Sequence, residues 1–142
     1  MENALAEARL AASRGEVPIG AVIVKDGNII ASDGNRTIEN KDPTAHAEIL
    51  AIRAAAAKLG SERLTGCDLY VTLEPCPMCA SAISFARIAR LYYGAEDIKS
   101  GGVDNGVQIY SDPTCHHRPE VYSDISAEEA AKLLREFFQS RR

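Results

Sequence analysis

The sequence predicts an α/β fold, in which helices pack on the faces of a central sheet. Segments with strand patterns alternate along the chain with segments of high helix propensity, as in layered α/β domains. Asp26-Gly27, between two apolar runs, is typical of a hairpin turn and adds a pair of adjacent strands. Two motifs rich in metal-binding side chains fall at predicted helix starts, where such sheets carry their active sites.

Four segments have the composition of helices: residues 2–14, 45–59, 77–86 and 126–139. Gly15 and Gly60 are expected to end the first two, and Asp42-Pro43-Thr44 is a start signal for the second. Pro77 suits the first turn of the third helix. The spacing Ser126-Ala-Glu-Glu129 predicts a capping box at the start of the fourth.

Five apolar or β-branched segments are predicted to be strands: residues 17–24, 28–32, 68–73, 91–94 and 119–122. Residues 100–117 contain many Gly, Asp and Pro residues and are predicted to be loop or short turns.

Length and composition predict one globular domain covering residues 1–142. Hydrophobic residues make up 46% of the chain and charged residues 25%. No apolar run approaches the roughly 20 residues of a membrane span. The first residues carry an acid and no basic region of the signal-peptide type, so we expect a cytoplasmic protein. The net charge of −4 argues against broad, non-specific nucleic-acid binding and leaves room for a local basic patch.

The segments His46-Ala47-Glu48 and Pro75-Cys76-Pro77-Met78-Cys79 carry the metal-binding side chains. Cys76 and Cys79 are three positions apart at a predicted helix start, so both sulfurs can point to one side. The amides of a helix N-terminus stabilise thiolates there. One imidazole nitrogen and two thiolates leave the fourth tetrahedral position open for water, which is the pattern of a catalytic zinc site.

A structural zinc site is the alternative, because it needs a fourth protein ligand and Cys115, His116 and His117 offer candidates. The same cluster is also explained as a surface loop.

Glu48 is the candidate acid/base. Two thiolates cancel the charge of Zn²⁺, so the metal acidifies water less than a site with three neutral histidines would, and a base beside the water becomes necessary. A carboxylate there can take the water proton, pass it to a ring nitrogen and later protonate leaving ammonia. The alternative role is that of a favourable acid at a helix N-terminus.

The combination of His-x-Glu with Pro-Cys-x-x-Cys is the pattern of zinc-dependent base deaminases. Over nearly its whole length the chain resembles the bacterial tRNA-specific adenosine deaminases. The zinc motif is shared with cytosine, guanine and deoxycytidylate deaminases, so residues 94–99 and the Phe137-Phe138 pair are the more specific part. The matching stretches are residues 16–22, 35–36, 42–48, 69–76, 86–88, 94–99 and 137–138.

The resemblance implies a cytidine deaminase-like fold, a three-layer α/β/α structure with a central mixed sheet of about five strands. It implies deamination of adenosine to inosine at the wobble position of a tRNA anticodon, in a homodimer. It also implies one Zn²⁺ per chain, held by His46, Cys76 and Cys79, with Glu48 as the proton shuttle.

The resemblance assigns five residues to substrate binding: Val17, Asn35, Ala47, Asp97 and Phe138. Asn35 would hydrogen-bond the base, and its alternative role is that of a turn residue. Asp97 would meet the nucleotide near the ribose, and its alternative role is that of a loop acid. Val17 and Ile19 would form apolar walls, although as strand residues they are also explained as core.

An acidic chain that binds RNA needs a local basic rim. The candidates are Lys99, Arg118, Arg135, Arg141 and Arg142.

Two other functions fit parts of the pattern. A free-base or nucleoside deaminase, with guanine as its first candidate substrate, shares the zinc motif but needs no basic rim and no ribose contact. A catalytically silent RNA-binding subunit with a structural zinc is the other, and the intact Glu48 speaks against it.

Overall fold

A computed structural model of the chain describes residues 1–141. Its sheet starts from a hairpin, β1 (Gly20–Lys25) and β2 (Asn28–Gly34). The turn residues Asp26 and Gly27 have φ of 51° and 78°, the left-handed pair that a tight hairpin turn requires. The predicted turn is therefore confirmed.

The sheet has five strands in the order β2-β1-β3-β4-β5. The further strands are β3 (Asp68–Leu73), β4 (Arg90–Ala95) and β5 (Glu120–Tyr122). β1 runs antiparallel to both β2 and β3, whereas β3, β4 and β5 are parallel to one another. The sheet is therefore mixed, as predicted.

Helices cover both faces of this sheet. On one face, α2 (Ala47–Leu59) and α3 (Pro77–Phe85) enclose the main apolar core with residues such as Ile23, Leu69 and Leu91. On the other face lie α1 (Glu2–Ser13) and α4 (Ala127–Gln139), with a smaller core around Leu5 and Ala130. The predicted three-layer α/β/α fold is confirmed.

Gly20 explains how closely α1 approaches the sheet. A Cβ at this position would lie 2.0 Å from the Ala4 carbonyl oxygen and 2.6 Å from the Ala8 nitrogen, so only glycine fits.

Two predicted boundaries shift inward. The strand predicted from Val17 begins at Gly20, because Pro18 has no N–H to give to a ladder and the Ile19 N–H donates locally to the Val17 carbonyl at 2.8 Å. The helix predicted from Ala45 begins at Ala47, because His46 is extended, with φ −74° and ψ 153°.

The predicted capping box at Ser126 is wrong. Ser126 adopts a left-handed conformation, with φ 57° and ψ 37°, and its side chain makes no cap hydrogen bond. Glu129, the expected reciprocal partner, forms an ion pair with Arg9 of α1 instead.

Residues 100–117 are loop, as predicted, apart from one 3₁₀ turn at Ile109–Ser111. Within residues 1–141, no helix combines the length and apolar character that crossing a bilayer requires.

Candidate active site

The two predicted motifs meet at the N-terminal ends of α2 and α3. His46 is the N-cap residue of α2 and Cys76 is the N-cap residue of α3, and both have extended backbones. Cys79 lies in the first turn of α3, where Pro77 is accommodated because no intrahelical N–H bond is needed. Two helix N-termini therefore face one small region, and both favour negative charge there.

The distances agree with a shared ligand set. His46 Nδ1 lies 3.7 Å from Cys76 Sγ and 3.6 Å from Cys79 Sγ. The three donor atoms all lie within 4.8 Å of one another, although Cys76 and Cys79 follow His46 by 30 and 33 positions in the sequence. These separations suit donors around one tetrahedral ion, whose ligands sit about 2.0–2.3 Å from the metal.

The two thiols share one proton as a pair. A hydrogen bond from Cys79 lowers the pKa of Cys76 to about 4. The same bond, together with burial, raises the pKa of Cys79. A divalent metal needs both sulfurs as thiolates and displaces that proton on binding.

Glu48 is 4% exposed and lies one residue inside α2. Burial raises the pKa of its carboxyl to about 7, so it exchanges a proton close to neutral pH. The hydrogen bond with Cys76 raises the pKa of His46. A carboxyl with a pKa near 7 is suited to general acid–base catalysis.

In the part of the chain that the structure describes, a fourth protein ligand is not close. Cys115 Sγ donates to the His117 carbonyl oxygen at 3.2 Å and lies 3.5 Å from Ser84 Oγ. The His117 ring is bonded to the Ile88 carbonyl oxygen. Within residues 1–141, only His46, Cys76 and Cys79 form a metal-capable group of three or more His, Cys, Asp or Glu side chains. The arrangement favours a catalytic site over a structural one.

A cleft of about 120 Å³ lies at these donors. Its lining residues are Ile19, His46, Glu48, Leu73, Glu74, Cys76, Asp97 and Ser100. A larger groove, about 860 Å³, shares Leu73, Asp97 and Ser100 with the cleft. The groove continues to Val17 and to Phe138. The small cleft therefore opens beside a surface long enough for more than a single base.

The predicted substrate residues fall into two groups. Val17, Asp97 and Phe138 line the groove together. Asn35 is 6% exposed, and its backbone is held by a bond from its N–H to the Ile19 carbonyl at 3.0 Å. Ala47 is fully buried in the main core and lines neither the cleft nor the groove.

The positive side chains also divide. Lys99 and Arg141 line the groove. Arg118 donates to the carbonyl oxygens of Tyr110 and Asp112, and so braces its own loop. Arg142 lies outside the described residues.

Sequence reasoning missed two buried carboxylates, Glu16 and Glu74, which are 1% and 2% exposed. Glu16 accepts from the backbone N–H groups of Ile38 and Glu39. Glu74 accepts hydrogen bonds from the loop formed by residues 97–105. Burial opposes ionisation of the Glu74 carboxyl, but the hydrogen bonds from Asp97 and Asn105 lower its pKa. For Glu74, the signal available in the sequence was an acidic residue between an apolar strand and the segment Pro75-Cys76.

The chain matches the MafB19-like deaminase family over residues 1–142. A tRNA-specific adenosine deaminase from Agrobacterium fabrum is 63% identical over 142 residues, which are 100% of this chain and 93% of the relative. Another, from Aquifex aeolicus, is 49% identical over 142 residues, with the same coverage of both chains.

Solved structures agree with these relatives. A structure from a study of A-to-I editing by tRNA:A34 deaminases at the wobble position of transfer RNA has a TM-score of 0.93 and 64% identity, covering 94% of this chain and 97% of the other. A guanine deaminase from Bacillus subtilis has a TM-score of 0.66 and 36% identity, covering 99% and 90%. The chain therefore belongs to the tRNA-specific adenosine deaminases, a family of zinc-motif deaminases whose characteristic His-x-Glu and Pro-Cys-x-x-Cys segments it brings together in one cleft.

Proposed function

We propose that this chain catalyses the hydrolytic deamination of adenosine to inosine at the wobble position of a tRNA anticodon. The observation that carries the proposal is the position of the buried Glu48 beside the donors His46, Cys76 and Cys79, in a cleft that adjoins a longer groove. A base in an anticodon loop is already unpaired, so its extrusion into such a cleft costs little.

We propose that His46, Cys76 and Cys79 hold one Zn²⁺ per chain. One imidazole nitrogen and two thiolates suit zinc, and the two helix N-termini stabilise the thiolates. When bound, zinc supplies the positive charge that acidifies a water molecule for attack on the amino-bearing ring carbon.

The chain's own residues carry the proton transfers. Glu48, whose pKa is close to neutral, removes a proton from the attacking water. The same carboxyl delivers that proton to the ring nitrogen. It then takes the second proton of the former water from the new hydroxyl group and delivers it to the amino group, which leaves as ammonia. Its burial keeps bulk water away from these transfers.

We propose that Asn35 hydrogen-bonds the target base and that Asp97 meets the ribose. Val17 and Phe138 form apolar walls of the groove, and Ala47 contributes through its main chain at the N-terminus of α2.

Three further proposals concern the whole molecule. The enzyme acts as a homodimer in the cytoplasm, and residues 1–142 form one deaminase domain. Exposed apolar side chains such as Ile38, Phe85 and Val107, each at least 65% exposed, offer surface for a second copy. Sedimentation velocity of the purified chain distinguishes monomer from dimer.

The zinc proposal is tested by a matched pair of cysteine variants. Cys76→Ser should lose the bound zinc, because it replaces a soft thiolate ligand with a hydroxyl. Cys115→Ser should keep one zinc per chain, because Cys115 lies against Ser84 and the His117 carbonyl. Metal analysis of both proteins after desalting provides the measurement, and equal zinc contents would refute the ligand assignment.

The catalytic proposal is tested with an anticodon stem-loop that carries adenosine at the wobble position. We expect inosine to form in this RNA and not in one where the adenosine is moved into the stem. No inosine with zinc-loaded enzyme would refute the function.

Guanine deamination is the second candidate, because a Bacillus subtilis guanine deaminase shares 36% identity and the fold. The 63% identity to the Agrobacterium fabrum enzyme and the TM-score of 0.93 favour adenosine in tRNA.

A further inference from the structure

Glu74 is a buried carboxylate between β3 and the ligand Cys76, and the chemistry above gives it no role. We propose that Glu74 is a positioning residue, which holds the substrate-facing residue 97–105 loop against the segment that carries Cys76. This inference rests on the proposed function of the cleft, and it adds a residue that determines substrate binding.

The carboxylate of Glu74 collects five hydrogen bonds from that loop. Its Oε1 accepts from the Asp97 N–H at 3.0 Å and from Asn105 Nδ2 at 2.7 Å. Its Oε2 accepts from the N–H groups of Val103, Asp104 and Asn105 at 3.1, 2.9 and 3.0 Å. The Glu74 side chain therefore binds both ends of the loop, residue 97 and residues 103–105.

The loop is packed tightly around this anchor. A Cβ at Gly101 would lie 2.5 Å from Glu74 Oε2 and 2.5 Å from the Asp97 carbonyl oxygen, so the loop can wrap the carboxylate only with glycine there. The Gly102 N–H donates to the Pro75 carbonyl oxygen at 2.8 Å, directly before Cys76. The segment that carries Cys76 and the loop of residues 97–105 are therefore bonded directly to each other.

The charge of Glu74 matters more than its shape. All five partners are N–H donors, and a carboxylate is an acceptor only. Glutamine has the same size, but its NH₂ group would face N–H donors and leave some of them unpaired in a buried place.

The held loop forms part of the substrate surface. Asp97 and Ser100 line both the cleft and the groove, and the Asp97 carboxylate accepts from the Ser100 N–H at 3.0 Å. If Glu74 releases the loop, Asp97 and Ser100 lose their place beside Cys76 while Glu48 and His46 keep theirs on α2. The loss should then fall on substrate binding and spare the proton transfers.

Hydrogen–deuterium exchange of Glu74→Gln tests the anchor without requiring activity. Peptides covering residues 97–105 should exchange at least about tenfold faster than in the parent, because their amides lose their acceptor. Peptides from α2 should be unchanged. Glu16→Gln is the matched control, because Glu16 binds the Ile38 and Glu39 amides and should accelerate exchange there instead.

Steady-state kinetics on the anticodon stem-loop tests the consequence. In Glu74→Gln with full zinc content, KM should rise at least about tenfold while kcat stays within about threefold. Asn105→Ala, which removes one of the five bonds, should raise KM by a smaller factor and keeps the test available if Glu74→Gln does not fold.

Unchanged exchange in residues 97–105 would overturn the inference, and so would local acceleration with an unchanged KM. Acceleration across the whole chain, or loss of zinc, would show that Glu74 is a general stability residue and would also overturn it. A parent enzyme without deaminase activity would refute the proposed function, whereas the exchange result would still report on the loop.

Discussion

Glu48 combines two properties that conflict in most carboxylates: it is almost fully buried, and the proposed chemistry needs it charged for part of the cycle. Burial raises its pKa to about 7. Burial of the Glu48 carboxyl therefore lowers the stability of the fold, but it leaves this acid able to exchange a proton near neutral pH.

Glu48→Gln should keep zinc and fold but lose turnover. The amide cannot accept and release the proton, and a general acid–base group typically supplies about 10²–10⁴-fold in rate. Single-turnover inosine formation and metal analysis of the same sample provide the measurement. Turnover within tenfold of the parent would contradict the shuttle role.

The raised pKa of Glu48 also predicts how stability depends on pH. Between about pH 4.5 and pH 7 the unfolded carboxyl loses its proton before the folded one, so the free energy of unfolding falls as the pH rises. Glu48→Gln does not ionise and escapes this fall. Its stability advantage over the parent should grow by about 1–3 kcal/mol across that window.

Urea unfolding of the zinc-free proteins at pH 4.5 and at pH 8 measures this difference. An advantage that is equal at both pH values would contradict a buried Glu48 with a raised pKa.

At the scale of single elements, the segment that follows α4 brings positive charge to the groove. The Arg141 guanidinium lies 3.8 Å from the ring centroid of Phe137, and Arg141 and Phe138 both line the groove. A stacked guanidinium beside an exposed aromatic ring is suited to contact single-stranded RNA.

Arg141→Ala should therefore flatten the salt dependence of RNA binding. Each phosphate contact to a single strand contributes about −0.7 to the slope of log K against log salt concentration. Lys132→Ala is the control, because Lys132 lies on α4, the helix that precedes Arg141, pairs with Glu136 at 3.9 Å and does not line the groove. Equal slopes for both variants would remove α4 from the RNA site.

Strand β3 and the start of α4 show how much of the secondary structure could be predicted from sequence patterns. Strand β3 begins and ends as predicted because an apolar run is bounded by a turn at Gly66, with φ 80°, and by Glu74-Pro75. The capping box at Ser126 was wrong because spacing does not reveal a left-handed φ, and because Glu129 has a stronger partner on α1.

The candidate site also contains residues that could be predicted from the sequence and one whose role could not. The grouping of His46, Cys76 and Cys79, with Glu48 in the same cleft, could be predicted because metal chemistry demands those residue types at short spacings. The anchoring role of Glu74 was not, because its partners lie 23–31 positions away and contribute mainly backbone N–H groups, which no residue type reveals.

At the scale of the whole molecule, the fold places the proposed chemistry and the proposed substrate contacts on different elements. The proposed zinc ligands and Glu48 lie at the N-terminal ends of α2 and α3, whereas the loop after β4 and the end of α4 line the groove. Asp97 stands at the boundary between the two, because it lines both cleft and groove.

Asp97→Asn should relax the preference for RNA. A carboxylate accepts from a ribose 2′-hydroxyl and repels a DNA phosphate, whereas an amide does neither as strongly. The ratio of deaminase activity on an RNA stem-loop to that on its DNA counterpart should fall. An identical ratio in parent and variant would make Asp97 a loop acid.

The most direct test of the account compares substrates with one zinc-loaded preparation of the parent enzyme. We predict that kcat/KM for an anticodon stem-loop with adenosine at the wobble position exceeds that for guanine by at least about a hundredfold, because only the RNA can use the groove beside the cleft. Guanine deamination with an equal or higher kcat/KM would contradict the account.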